Sequence, residues 1–257
     1  MFQLALPQPS KRFRRRPLAR RTVLSALLAT GLVALTGCQS ITGSTSASQV
    51  RIFDASPDAP GLDMYQSGNV LAYNLGFGTI TSYIPLSPGT FTITADTAGT
   101  KQALVSVKGT FAANTQYTVL VSDVAASLQG TVLTDQSQAA PSGQISLRFL
   151  DEATRISAVD LYMVPSGQKL TAVTPIYTNL SLGVNTGYIN IPTGTYTLVL
   201  VPTGTVPTSS TIATYSGALV TYSGGSATTI FIIDQQLVTT PGLQVISATD
   251  YQVPSAT

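Results

Sequence analysis

Three aspartates, Asp54, Asp58 and Asp63, flank one proline-rich stretch, and they are the residues whose type and spacing best suit chemistry. Their hard oxygens could begin a calcium site, which needs about six to eight oxygen ligands and can draw the rest from carbonyls and water. The spacing fits no EF-hand loop, and Asp151 and Asp160 recur further along without a middle acid. The competing reading is structural, as turn formers and strand caps. Recurrence at equivalent positions is what a fold-keeping role predicts, and Asp63 and Asp160 are expected to bind backbone, not metal. Two carboxylates would also be the minimum for glycoside hydrolysis. Otherwise catalytic groups are scarce. The chain has no histidine, which removes the commonest general base and every imidazole triad. A single cysteine excludes a thiol-based zinc cluster. The expectation is a protein that is not an enzyme and uses no cofactor.

That cysteine, Cys38, follows an apolar run from Thr22 to Leu35 and the triplet Leu35-Thr36-Gly37. Upstream lie Lys11, Arg12, Arg14, Arg15, Arg16, Arg20 and Arg21. A basic leader, a short apolar core and a small-residue cleavage box are the parts of a secretory signal, and ending in Gly-Cys it resembles a bacterial lipoprotein signal. The apolar run falls short of the ~20 residues of a membrane span, so the expectation is anchoring through acyl chains on Cys38. Arg20-Arg21-Thr22 resembles, more weakly, a twin-arginine export motif. Gln39 after the cysteine, in place of aspartate, implies by resemblance the outer membrane in a two-membrane bacterium. Residues 1–37 are then a signal peptide, and 38–49, rich in serine and threonine, a flexible tether.

Cleavage would change the charge. All 11 acidic residues follow Cys38 but only six of the 13 basic ones do, leaving 6 − 11 = −5. A mildly acidic surface without a basic stripe argues against nucleic acid.

An internal repeat organises the remainder. Arg51 and Asp63 match Arg148 and Asp160 at an offset of 97 (148 − 51), Asn74, Tyr83 and Gly89 match Asn179, Tyr188 and Gly194 at 105 (179 − 74), and Val119 and Asp123 match Ile230 and Asp234 at 111 (230 − 119). A stepwise offset means loop insertions in the second of two copies. Each copy reads as strands. Phe91, Ile93 and Ala95 alternate with threonines, as do Tyr196, Leu198 and Leu200, and Pro88-Gly89, Thr193-Gly194 and Gly224-Gly225 punctuate the runs. The predicted fold is all-β: two tandem immunoglobulin-like antiparallel β-sandwich domains, at 50–138 and 144–250, with seven or eight strands each. Tyrosines such as Tyr65, Tyr83, Tyr117, Tyr162, Tyr188 and Tyr196 fall in or beside these strands. There they are more often sheet packing with the hydroxyl at the rim than a ligand platform.

At Val50-Arg51, Ala55-Ser56-Pro57-Asp58-Ala59-Pro60 and Asp63-Met64-Tyr65, with Leu86-Ser87-Pro88-Gly89-Thr90 and Tyr117-Thr118-Val119 later, the chain resembles the bacterial extracytoplasmic domain of unknown function 4397 family. The resemblance implies secreted or lipid-anchored β-sandwiches, commonly in tandem, with no established activity. Family members usually carry a histidine where this chain has Asp54, and the second copy replaces the Ser-Pro-Asp-Ala-Pro run with Glu152-Ala153-Thr154-Arg155. The function expected is a lipid-anchored envelope protein, binding or adhering to an unknown envelope protein or glycan. A structural spacer or scaffold is the alternative, and a calcium-stabilised module the next.

Overall fold

Val50, Ile52 and Phe53 are each fully buried, so the first strand has no face left for solvent. A sheet whose strands are apolar on both faces must be covered on both, and this accounts for the architecture. The computed structural model describes residues 46–236 and 242–254. The signal segment, Cys38 and most of the tether lie outside these described residues.

The first copy comprises β1 (Ser48–Asp54), β2 (Leu62–Gln66), β3 (Asn69–Leu75), β4 (Ile84–Leu86), β5 (Gly89–Thr97), β6 (Ala103–Phe111), β7 (Gln116–Ser122) and β8 (Gln129–Asp135). The second comprises β9 (Gln144–Asp151), β10 (Val159–Pro165), β11 (Tyr177–Leu180), β12 (Asn185–Pro192), β13 (Gly194–Pro202), β14 (Tyr215–Tyr222), β15 (Ala227–Asp234) and β16 (Leu243–Tyr251). In the first sandwich a β4-β1-β7-β8 sheet faces a β3-β2-β5-β6 sheet. In the second, β12-β9-β15-β16 faces β11-β10-β13-β14, the same order element for element. Pairing is antiparallel apart from β1 with β7 and β9 with β15, which run parallel. The protein is therefore all-β, with two tandem sandwiches.

The inner sheets of the two sandwiches also pack on each other, giving a four-layer stack. Along β1, Val50 and Ile52 enter the first core while Phe53 enters a cluster shared with Leu150, Phe231 and Ile233 of the second copy. The Phe53 and Phe231 rings stand 4.2 Å apart across this seam.

Both offset steps are visible as insertions. The tight turn at 67–68 becomes the segment 166–176, and the 98–102 hairpin becomes the loop 203–214. Leu170, Val173 and Ala213 from these insertions cover Tyr162, Val164, Val199 and Val201 on the outer face of the second sandwich. One small residue marks another difference. A Cβ on Gly130 would lie 3.2 Å from Val107, so glycine lets β8 close against β6. Val245 occupies the equivalent place, since it pairs with Ile232 as Gly130 pairs with Val121. Further along the same edge a groove of about 240 Å³ is lined by Tyr222, Ser226, Thr228 and Ser247.

Candidate functional site

Arg51 and Arg148 occupy the seam, each flanked along its strand by buried apolar residues, Val50 and Ile52 or Leu147 and Phe149. Each guanidinium is buried, and the contacts of one repeat those of the other. Arg51 Nε donates to Thr118 Oγ1 at 2.9 Å and Arg148 Nε to Thr229 Oγ1 at 3.0 Å. Across the seam, Arg51 Nη1 reaches the Thr249 carbonyl at 3.1 Å and Arg148 Nη1 the Thr134 carbonyl at 3.0 Å. Arg51 Nη2 pairs with Asp250, and Arg148 Nη2 with Asp135 at 2.5 Å. Thr118 and Tyr83 hydroxyls donate to Asp135 at 2.7 and 2.8 Å, and Thr229 and Tyr188 to Asp250 at 2.7 and 2.9 Å. Each guanidinium lies 4.8 Å from the centre of its own copy's tyrosine ring, Tyr83 or Tyr188. One term is unequal, because Asp135 also sees Arg51 at 3.6 Å whereas Asp250 is paired with Arg51 alone. Burial pushes the Asp250 carboxyl upward against the pull of Arg51, and burial also raises both tyrosines, keeping their hydroxyls as donors. Such a fully satisfied buried network fixes geometry more surely than it adds stability.

Beyond the ends of β1, β7, β9 and β15, loops of both copies form a crown. Residues Pro57, Asp58 and Val124 of the first copy and Thr154, Arg155 and Gln236 of the second line a shared cleft of about 260 Å³. Gln236 Nε2 donates to the Pro57 carbonyl at 3.2 Å across it. Arg155 is anchored to Asp234 at 3.2 Å, and Asp234 Oδ2 accepts the Thr154 amide at 2.9 Å and hydroxyl at 2.7 Å. The cleft thus has apolar walls at Pro57 and Val124 and a rim of one acid, one base, a hydroxyl and an amide.

The predicted acids go to three separate places. Asp54 points into the roof of the first core, where Oδ1 accepts the Ser56 amide at 3.0 Å and Oδ2 has no partner. Burial pushes its carboxyl up to about 7. Asp151 repeats this with the Ala153 amide at 3.0 Å and is raised to about 6, again by burial. Asp58 is exposed at the cleft and accepts the Ala125 amide at 2.7 Å. Asp63 accepts the Asn74 and Gly99 amides, both at 2.9 Å, which hold its carboxyl below the usual range. Asp160 accepts the Asn179 and Gly204 amides at 2.9 and 3.0 Å. Asn74 and Asn179 have φ of 46° and 57°, the left-handed conformation that asparagine tolerates. Among the described residues no group of three or more acidic, histidine or cysteine side chains is placed to hold a metal ion.

Sequence reasoning missed Asp135, near the end of the first predicted domain, along with Asp250, Thr118, Thr229 and Glu152. Glu152 is buried at the seam, hydrogen-bonded to the Ser122 side chain, and burial raises its carboxyl to about 7. The available signal was an arginine recurring in the middle of two strands that are apolar on both faces. Tyrosines mostly pack: the hydroxyls of Tyr117 and Tyr196 bond backbone at 2.9 and 2.8 Å, and Tyr73 alone of those described is largely exposed, at 68%.

No curated protein matches the chain. Among solved structures, the crystal structure of CBMbc (family CBM26) from Eubacterium rectale Amy13K in complex with maltoheptaose aligns over 77% of this chain and 96% of that one, at 14% identity and a TM-score of 0.23. Residues 48–162, which span the first sandwich and the opening strands of the second, match the family described as Domain of unknown function (DUF4397).

Proposed function

We propose that this is a lipid-anchored cell-envelope protein that binds and does not catalyse, built from two units of the same family and holding its ligand in the crown cleft. The observation that carries the reading is directional. The chain enters β1 at Ser48, whereas the cleft lies beyond Asp54 at the strand's other end. Seven residues of strand span about 20 Å. In a protein tethered through acylated Cys38 the crown is thus at the end of β1 opposite the one the tether enters. Loops carried on a rigid sandwich are the usual place for recognition. The cleft's size and its mix of apolar wall and polar rim suit one sugar residue or a short polar side chain of an envelope protein. The absence of histidine from the whole sequence supports binding over acid–base catalysis.

The test is capture from envelope extracts by the mature chain, compared with Asp58→Ala and Gln236→Ala. A glycan or protein retained by the parent and lost from both variants, at unchanged melting temperature, supports the reading. Equal retention by all three removes the cleft from it. A second reading, an envelope spacer, is favoured by the seam that fixes one sandwich against the other; it expects no ligand at the crown.

A further inference from the structure

The seam is isologous in form, the bonds from each arginine to a threonine hydroxyl, a carbonyl and an aspartate across the seam occurring twice with the copies exchanged, as in a two-fold dimer. Departures from that symmetry are few and informative. The ring pair Phe53 and Phe231 has Leu150 and Leu120 as its counterparts, all in one apolar cluster. Swapping like for like there would set phenylalanine against leucine on both sides, which conserves volume. The other departure does not. Ala55 and Glu152 are equivalent, their amides bonding the equivalent carbonyls of Val121 and Ile232 at 2.8 Å each. Ser122 and Ile233 are likewise equivalent, each being the residue after those carbonyls. The chain sets Glu152 on Ser122 and gathers Ala55 with Ile233.

We propose that the seam is a dimerisation face belonging to the fold unit itself, whose partner is another copy of the same unit, and that Glu152 with Ser122 dictates unlike pairing. Pairing two first copies would put Ala55 against Ser122 twice, which is harmless. Pairing two second copies would put Glu152 against Ile233 twice. A buried carboxyl group would then lose its hydrogen-bond partner on both sides and face an isoleucine instead, a cost whether or not the group is ionised. The face thus accepts first with second and first with first, and rejects second with second. In the intact chain the short connection 136–143 gives the intramolecular partner a high effective concentration. This inference does not depend on the ligand-binding reading.

The experiment starts from the folded full mature chain carrying a protease site between Gln138 and Ala139, both exposed. After cleavage, native mass spectrometry follows which halves stay together. The parent is expected to remain a first–second pair with no second–second species. Glu152→Ala is expected to let the halves redistribute, with second–second and first–first pairs appearing within a few-fold of the statistical proportion. Separation of the parent into monomers, a second–second pair in the parent, or none in Glu152→Ala overturns the proposal. Uncleaved chain gives an independent readout. Ser122→Ile alone should lower the melting temperature, and adding Glu152→Ala should restore it, because the alanine–isoleucine combination already exists on the other side. Failure of the second substitution to rescue the first counts against the pairing rule.

Discussion

Truncating Arg51 to alanine removes the ion pair of Asp250 and leaves it only the longer-range pull of Arg148, and the outcome can be worked from the seam's asymmetry. Asp250 would keep the Tyr188 and Thr229 hydroxyls but lose its ion pair. Breaking a buried pair from one side typically costs about 3–5 kcal/mol, because the stranded charge stays buried. For a unit of this size each kcal/mol lowers Tm by roughly 2–4 °C, so a fall of about 6–20 °C is expected. Arg148→Ala should cost less, since Asp135 still has Arg51 at 3.6 Å together with Tyr83 and Thr118.

Calorimetry and urea titration at pH 7.5 and pH 4.5 separate this account from simple loss of packing. Burial already raises the Asp250 carboxyl, and without Arg51 it rises further, so acid neutralises the stranded charge. The Arg51→Ala penalty should therefore shrink at pH 4.5. Replacing the pair, Arg51→Met with Asp250→Leu, should recover most of the loss. The reasoning is refuted if Arg51→Ala is no worse than Arg148→Ala, or if its penalty is the same at both pH values.

Other outcomes follow from the same geometry. Asp54, Asp151 and Glu152 keep their protons in the folded state up to about pH 7, 6 and 7, far above an unfolded carboxyl near 4. Their contribution is complete below about pH 4 and is lost as pH rises through 6 to 7, at about 1.4 kcal/mol per pH unit for each group. Asp63, held low by backbone amides, acts oppositely and loses its contribution as pH falls. With these three and the raised Asp250 against Asp63, Tm measured by calorimetry should be higher at pH 5 than at pH 8. Asp63→Asn and Asp160→Asn should each lower Tm without altering its response to calcium or EDTA; a calcium effect abolished by Asp63→Asn would restore the metal reading. Cys38→Ser should move the protein from the membrane to the soluble fraction, with the Met1–Gly37 segment retained on the precursor; persistence in the membrane would refute lipid anchoring.

The strands were legible because their alternation is clean. Phe91, Ile93 and Ala95 on one face against threonines on the other can only be a half-covered strand, and the outer sheet of the first sandwich is built that way. Insertions were legible as offset steps because conserved pairs such as Tyr83 and Tyr188 bracket them. The seam was not. Its two arginines sit at an offset of 97 and their aspartates at 115 (250 − 135), the second beyond the last step traced through Asp123 and Asp234. Asp135 and Asp250 therefore looked like residues at the ends of the two predicted domains. The crown acids were legible as a group but not by role, because sequence proximity places Asp54, Asp58 and Asp63 near one loop while alternation sends Asp54 into the core roof and Asp63 to a backbone cradle.

Position along β1 connects the two features. Arg51 lies three residues before Asp54, about 10 Å of strand, and Arg148 stands in the same relation to Asp151. In a sheet covered on both faces, a slip of one residue would exchange Arg51 and Phe53 with Val50 and Ile52, putting a guanidinium into the first apolar core. The ionic seam thus admits a single register between the sandwiches. The cleft walls, Pro57 and Asp58 on one side and Thr154 and Arg155 on the other, begin three to four residues past Asp54 and Asp151, too close to the seam to absorb a shift in it. Relative placement of the two walls is consequently set at the arginines, and a crown ligand that touches both copies should lose affinity in Arg51→Ala even though Arg51 lies well below the cleft.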